Sequence, residues 1–366
     1  MRLHNYWWLL IWPFVFGAVS VAFIPKREEL VLGKKEVRWN WIAAVMMAIP
    51  FVIWAAWRPD SFGDTGVYRT HFEAAPTSLV DAGTFMLSQT KDRGYALIEA
   101  IVKALISKSS TTFFFIISAV QMALLLYIYR KYSTNFWLSM FLFVASTDYL
   151  SWMHNGIRQF LAATIIFACL PLLLKKRYVA MVLVVLLVSQ LHLSALVVLP
   201  FIFIVNGRAW NFRTILFIIG VIVSMFFIDN ITGFITNAIE DTAYEGNIEY
   251  FFDDNGTNLY RVLFYSVPAL GALLLRPYVD AADEPLINVC VNLSVVAAGF
   301  YVLSFFTSGI LIGRLPIYFS LANYILIPWL IREVFDRNSV LLVEAGVVGV
   351  YVVFFYYQVG VTWHLL

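Results

Sequence analysis

Apolar runs of bilayer length recur from one end of this chain to the other, and they leave few folds open. A crossing needs roughly 20 predominantly apolar residues. Such runs lie near 6–24, 39–57, 111–129, 135–152, 157–174, 178–190, 193–206, 213–228, 258–275, 286–306, 314–332 and 339–358. The sixth and seventh are short and share the break at Leu191-His192-Leu193-Ser194. Of the 366 residues, 61% are hydrophobic and only 13% charged, far more apolar surface than a soluble domain can bury. The expectation is an all-α polytopic integral membrane protein: about twelve transmembrane helices in one multi-span domain over residues 1–366. Tyr6 to Ile24 lacks a strongly basic flank and a small-residue cleavage site, so no cleavable signal peptide is expected. Cys169 and Cys290 both fall within apolar runs and read as packing residues.

Charge distribution sets the orientation. Basic residues fill the connections at 25–38, Arg130-Lys131, Lys175-Lys176-Arg177, Arg208 with Arg213, Arg276, and Arg332 with Arg337. In a twelve-span chain these share one side, which the positive-inside rule makes cytoplasmic. Both termini and the Arg158 end of its helix then face outward. Two outward connections are long, 58–110 and 229–257. The first opens on a Gly/Pro turn, after which Asp64 is expected to cap a helix carrying Tyr68, Arg69 and Phe72. It closes on an amphipathic segment with Ile98, Ile101, Val102 and Leu105 on one face and Glu99 with Lys103 on the other, suited to lying in the outer interface. The second is acidic from Asp229 to Asp254, with no Lys or Arg.

The outward arginines are not explained by topology. Arg158 lies in His154-Asn155-Gly156-Ile157-Arg158-Gln159-Phe160-Leu161-Ala162, at the mouth of an apolar run, where an ionisable group is costly. Arg69, Arg93 and Arg314 fall near the same depth. A guanidinium fork matches phosphate oxygens. It can equally pair with a loop carboxylate or snorkel to headgroups. His192 and Asp64 can each accept a proton from a hydroxyl, while each also has a structural use. No metal site is expected: Asp253-Asp254-Asn255 lacks calcium-loop spacing, and His154 with Arg158 is no ligand pair. No phosphate-binding glycine loop supports a nucleotide-sugar donor, and no soluble basic surface supports nucleic acid. No cofactor is expected. There is no internal repeat of the inverted-transporter kind.

Taken in order, several short motifs resemble the EpsG family, itself similar in role to Wzy-type polysaccharide polymerases. They are Gly63-Asp64 with Tyr68 and Phe72, Asp92-Arg93-Gly94-Tyr95, Asn155-Gly156-Ile157-Arg158-Gln159 with Leu161-Ala162, His192-Leu193-Ser194-Ala195, and Arg314 with Tyr318-Phe319. The resemblance covers about residues 40–330 and fixes no residue at Arg69. It implies a fold similar to membrane-embedded C-type glycosyltransferases. It also implies a polymerase at the outer leaflet of the bacterial inner membrane. That enzyme would transfer a glycan from undecaprenyl diphosphate to the terminal sugar of another lipid-linked repeat unit. The implied partners are undecaprenyl-diphosphate-linked oligosaccharides, membrane lipids and a chain-length regulator protein. Arg158 would be the leading diphosphate ligand, with Arg93, Arg314 and Arg69 assisting. His192, ranked ahead of Asp64, would activate the acceptor hydroxyl. Gln159, Asn155, Tyr68 and Tyr318 would position sugar or phosphate, Trp152 could stack on a sugar, and Gly156 would let substrate approach the backbone. The alternatives left open are a lipid-linked oligosaccharide flippase or transporter, and a polysaccharide ligase.

Overall fold

The computed structural model describes residues 6–23, 27–32, 34–227 and 256–365. The acidic stretch 229–255, including Asp253-Asp254-Asn255, lies outside the described residues. The chain divides into two compact units. The first comprises 1–168, 188–193 and 328–366; the second comprises 169–187 and 194–327.

The first unit opens with α1 (Trp8–Phe23), β1 (Arg27–Val31), β2 (Lys34–Arg38) and α2 (Trp41–Ala56). The basic connection at 25–38 is therefore an antiparallel hairpin rather than a plain loop, with Leu30 opposite Lys35. Its many charges conceal the period-two pattern that marks a strand. Three helices then fill the long connection: α3 (Thr65–Ala74), α4 (Leu79–Ser88) and α5 (Arg93–Leu105). After them come α6 (Ser110–Tyr132), α7 (Phe136–Ala145), a π-helical turn over Tyr149–Asn155, and α8 (Ile157–Ala168). The 23-residue α6 is the axis of this unit, packing against α2, α3, α5, α7 and α8.

Helix α5 presents most of its expected apolar face outward and packs its other side against the protein. Tyr95, Ala96, Glu99 and Ala100 are buried, whereas Ile101 and Leu105 are exposed. Of the expected apolar face, only Val102 goes inside. In a bilayer interface, outward aliphatic side chains meet lipid, and small residues let helices approach closely. Lys103 does not pair with Glu99; its ammonium donates to the backbone carbonyls of Glu73 and Ala75.

All twelve apolar segments contain helix, and among the described residues four to six of them are long and apolar enough to cross on their own. Ser110–Tyr132, Ile157–Leu174, Pro285–Phe306 and Arg337–Thr362 are long and apolar enough to span. Two bent pairs, Leu259–Leu274 with Arg276–Ala282 and Ile312–Ser320 with Asn323–Val334, raise the number to six. Helices such as α1 and α2 have 16 residues, or about 24 Å, against a hydrocarbon core of about 30 Å. The segment at 135–152 is interrupted after Ala145, where Thr147 turns left-handed at φ 71°.

In the second unit, one asparagine organises a tight connection. Asn292, buried within Pro285–Phe306, donates through Nδ2 to the carbonyls of Val205 and Arg208, each at 3.0 Å. Its Oδ1 accepts from the Trp210 N–H at 3.0 Å and the Thr214 hydroxyl at 3.2 Å. Trp210 has a positive φ of 57°, so that bond helps hold a strained residue. Cys290 packs in the same helix, fully buried. Asn292→Leu should lower stability by about 1–3 kcal/mol, because four partners lose their match. Thermal unfolding of the detergent-solubilised protein checks this; an unchanged midpoint would remove Asn292 from that role.

Candidate functional site

The site is built at the outer-facing end of α6 in the sequence-derived topology, entirely within the first unit. Arg158 occupies the second position of α8, whose first residue is fixed by Gln121 Nε2 donating to the Ile157 carbonyl at 2.9 Å. The Arg158 guanidinium lies 5.1 Å from the ring centre of Tyr68 and 5.3 Å from that of Tyr95. Both rings stabilise a desolvated cation. Its Nη1 donates to Asp92 Oδ2 at 3.2 Å, and only 15% of the arginine side chain is exposed. Asp92 stands just before α5 with φ 54°, a left-handed conformation that Asp tolerates better than most residues.

Two glycines make this corner possible. Gly63 has φ +50°, and a Cβ there would lie 2.2 Å from Asn155 Oδ1. That oxygen accepts the Asp64 N–H at 2.8 Å, so the start of α3 is tied to a residue three positions before Arg158. Gly94 donates its N–H to the Gln190 carbonyl at 2.8 Å. This brings the turn carrying His192 against the start of α5, beside Asp92.

Other cations cluster on the same segment. Arg58 is buried with its guanidinium 4.1 Å from the Phe114 ring centre, and it donates to the carbonyls of Met153 and His154. Arg69 lies 5.7 Å from the same ring, donating to Asp60 at 2.6 Å and to the Ser110 hydroxyl at 2.7 Å. It thus takes the ordinary role of pairing with a loop carboxylate. Arg93 is exposed, with Nε donating to the Gln89 carbonyl at 3.0 Å.

Sequence reasoning missed Glu99 and His71. Glu99 is fully buried, and its Oε2 lies 2.5 Å from His71 Nδ1. His71 Nε2 lies 3.1 Å from Gln89 Oε1. Both neighbours are acceptor oxygens, so the ring serves both only when doubly protonated. The Glu99 hydrogen bond accordingly raises the His71 pKa against the opposing effect of burial. Four buried atoms here have no hydrogen-bond partner among the described residues: Arg158 Nε, Asp92 Oδ1, Tyr95 Oη and Glu99 Oε1. Native proteins rarely leave buried polar atoms so, and such a set can receive a polar ligand.

The remaining predicted residues are placed as follows. Asp64 sits at the cap position of α3, but its exposed carboxylate makes no capping bond; only its backbone carbonyl does. Gln159 is buried, as is Trp152, at 4% exposed, which is therefore not presented for stacking. Gly156 makes room for the Trp152 ring, which lies 2.7 Å from where a Cβ would be, rather than for a substrate. His192 is half-buried, with its N–H on the Val188 carbonyl. Arg314 and Tyr318 belong to the second unit, Arg314 at the end of the 3₁₀ turn Ile312–Arg314 and Tyr318 in the next helix, Ile317–Ser320. Arg314 is exposed, and the Tyr318 hydroxyl lies 2.9 Å from that of Ser194.

Apolar helices of spanning length and a caged cation at one end of them define a multi-span helical membrane protein. The chain belongs to the EpsG family, whose model matches residues 41–363. EpsG is a family of Wzy-type polysaccharide polymerases. No curated protein and no solved structure matches the chain.

The His71–Glu99 bond makes a pH prediction. A raised folded-state pKa adds stability that is complete below the unfolded value near 6.5 and is lost as pH rises through the folded value. A hydrogen bond to a charged group contributes about 1.5–3 kcal/mol, reduced here because His71 is partly exposed. Wild-type melting temperature should therefore fall across that window. Glu99→Gln should flatten the slope, and a variant with the wild-type slope would refute the assignment.

Proposed function

We propose that this chain polymerises a bacterial surface polysaccharide, whether O-antigen, capsule or exopolysaccharide. The donor is a glycan on undecaprenyl diphosphate, and the acceptor is the terminal sugar of another lipid-linked repeat unit. The reaction takes place at the outer leaflet of the cytoplasmic membrane, with the shorter apolar helices completing twelve crossings in a fold similar to C-type glycosyltransferases. A chain-length regulator acts as partner. The observation that carries this reading is Arg158, held by Asp92, Tyr68 and Tyr95 within a family-matched polymerase sequence.

In the reaction, the anomeric carbon–oxygen bond to the diphosphate breaks and its electron pair leaves with the phosphate oxygen. Arg158 stabilises that developing charge, assisted by Arg93 and Arg69. The acceptor hydroxyl attacks the anomeric carbon and gives its proton to His192 or Asp64. Both are tied to the Arg158 corner, His192 through the Gly94–Gln190 bond and Asp64 through Asn155. Gln159, Asn155, Tyr68 and Tyr318 orient the sugars and phosphates. Positive charge comes from guanidinium groups, so the chemistry calls for no cofactor.

A deletion strain tests the class. Single lipid-linked repeats accumulating outside support the polymerase. Repeats trapped inside indicate a flippase, and full-length polymer left on its lipid carrier indicates a ligase. Arg158→Lys keeps the charge but loses the fork, so polymer formation should drop by about 10²-fold; near-normal polymer would sink the diphosphate role. His192→Ala should fold and lose polymerisation. If it stays active while Asp64→Asn does not, proton acceptance moves to Asp64.

A further inference from the structure

A second polar feature lies at the opposite end of α6. A cavity of about 450 Å³ there is lined by Arg38, Arg130, Arg332, Thr134, Phe14 and Leu341, among others. All of these belong to the first unit. Arg38 donates through Nη1 to the Arg130 carbonyl and through Nη2 to the carbonyls of Lys131 and Ser133, at 2.8 and 3.3 Å. Arg130 donates to the Trp39 carbonyl at 2.9 Å and to Glu29 at 2.7 Å. Arg332 pairs with Glu36. Three guanidinium groups thus gather here with the hairpin carboxylates Glu29 and Glu36, and Glu344 accepts from the cavity-lining Asn135 at 2.8 Å.

A purely structural knot would satisfy its own donors. Here the Nε of Arg38 is buried and has no partner among the described residues, and the same holds for the Thr134 hydroxyl. Arg38 as a whole is only 7% exposed. An N–H and an O–H without acceptors, among three clustered guanidinium groups, call for a ligand with several acceptor oxygens.

The opposite wall decides which ligand. Phe14 and Leu341 are 44% and 72% exposed, on α1 and on the spanning helix Arg337–Thr362. A soluble phosphate gains nothing from that wall, whereas an acyl chain does. The 23 residues of α6 rise about 34 Å, so the cavity lies about one hydrocarbon thickness from the Arg158 site. By the positive-inside rule this is the cytoplasmic end, where anionic headgroups set a negative surface potential.

We infer that the Arg38–Arg130–Arg332 cavity binds the phosphate headgroup of an anionic phospholipid of the cytoplasmic leaflet, with an acyl chain along Phe14 and Leu341. This does not depend on the reaction proposed above.

The test uses the full chain in detergent, titrated separately with phosphatidylglycerol, phosphatidylcholine and inorganic phosphate. Native mass spectrometry and the melting temperature are the readouts. Phosphatidylglycerol should bind at least about tenfold more tightly than phosphatidylcholine and raise the melting temperature. Thr134→Val and Arg332→Gln should each weaken phosphatidylglycerol binding by about tenfold with unchanged circular dichroism, as expected for one lost charge-assisted contact. Arg38→Gln is the harsher variant, since three carbonyls depend on that side chain. Arg276→Gln, an exposed arginine of the other unit, serves as the control and should bind normally. Equal binding of the two lipids, or full binding by both Thr134→Val and Arg332→Gln, would overturn the assignment. Stabilisation by inorganic phosphate alone, with displacement of phosphatidylglycerol, would make this a free-anion site and overturn the lipid.

Discussion

A guanidinium taken out of water must find compensation nearby, and Arg158 finds it in Asp92 and two tyrosine rings. Removing one partner of a buried pair typically costs about 3–5 kcal/mol, because the other charge is left alone. That cost explains the conformation around it. Asp92 adopts a left-handed φ so that its carboxylate turns inward from the start of α5. Tyr68 and Tyr95 come from α3 and α5, two helices that precede α8 in the chain and pack against α6. The short helices of the first long connection are thereby fixed to the membrane helices instead of floating above them.

α6 connects two environments of different character. At its Ser110 end, cations are interleaved with tyrosines, carboxylates and unpartnered polar atoms. At its Tyr132 end, arginines bind backbone carbonyls and the glutamates of the β1–β2 hairpin. Both ends concentrate positive charge, for different physical reasons. At the Tyr132 end the cations satisfy helix-terminal carbonyls, which attract positive charge. The Ser110 end has no such rule behind it, so its arginines have to be explained by their own contacts.

Much of the site was legible in the sequence because its parts are short and chemically specific. Gly63-Asp64, Asp92 to Tyr95 and Asn155 to Gln159 were recognisable as motifs, and the structure joins them by the Asn155–Asp64 and Arg158–Asp92 bonds. Glu99 was not legible. Helical spacing put it on a polar face with Lys103, and nothing in that spacing says which side of the helix packs against protein. Ile101 and Leu105 face out, while the Tyr95, Ala96 and Ala100 side packs inward and takes Glu99 with it. The hairpin was hidden by its charges. An apolar run records composition, whereas a span is recognised by unbroken helix, so among the described residues four to six of the runs meet that test, and the 135–152 run breaks after Ala145.

Charge balance narrows what the Ser110 end can accept. Arg69 is matched by Asp60, Arg158 by Asp92, and Glu99 by His71. Arg58 bonds backbone carbonyls, and Arg93 is exposed on the Gln89 carbonyl. An anion entering this corner meets the field of Arg58 and Arg93, whose bonds run to neutral carbonyls, and it can take the unpartnered Nε of Arg158 or displace Asp92 from Nη1. A monodentate 3.2 Å contact is a weaker hold than the paired bonds a phosphate can offer to the same fork. Displacement also frees a second carboxylate oxygen beside the already unpartnered Oδ1 of Asp92. Under the proposed reaction, that exchange would strengthen the grip on the diphosphate through the guanidinium fork, which a lysine at position 158 would not reproduce.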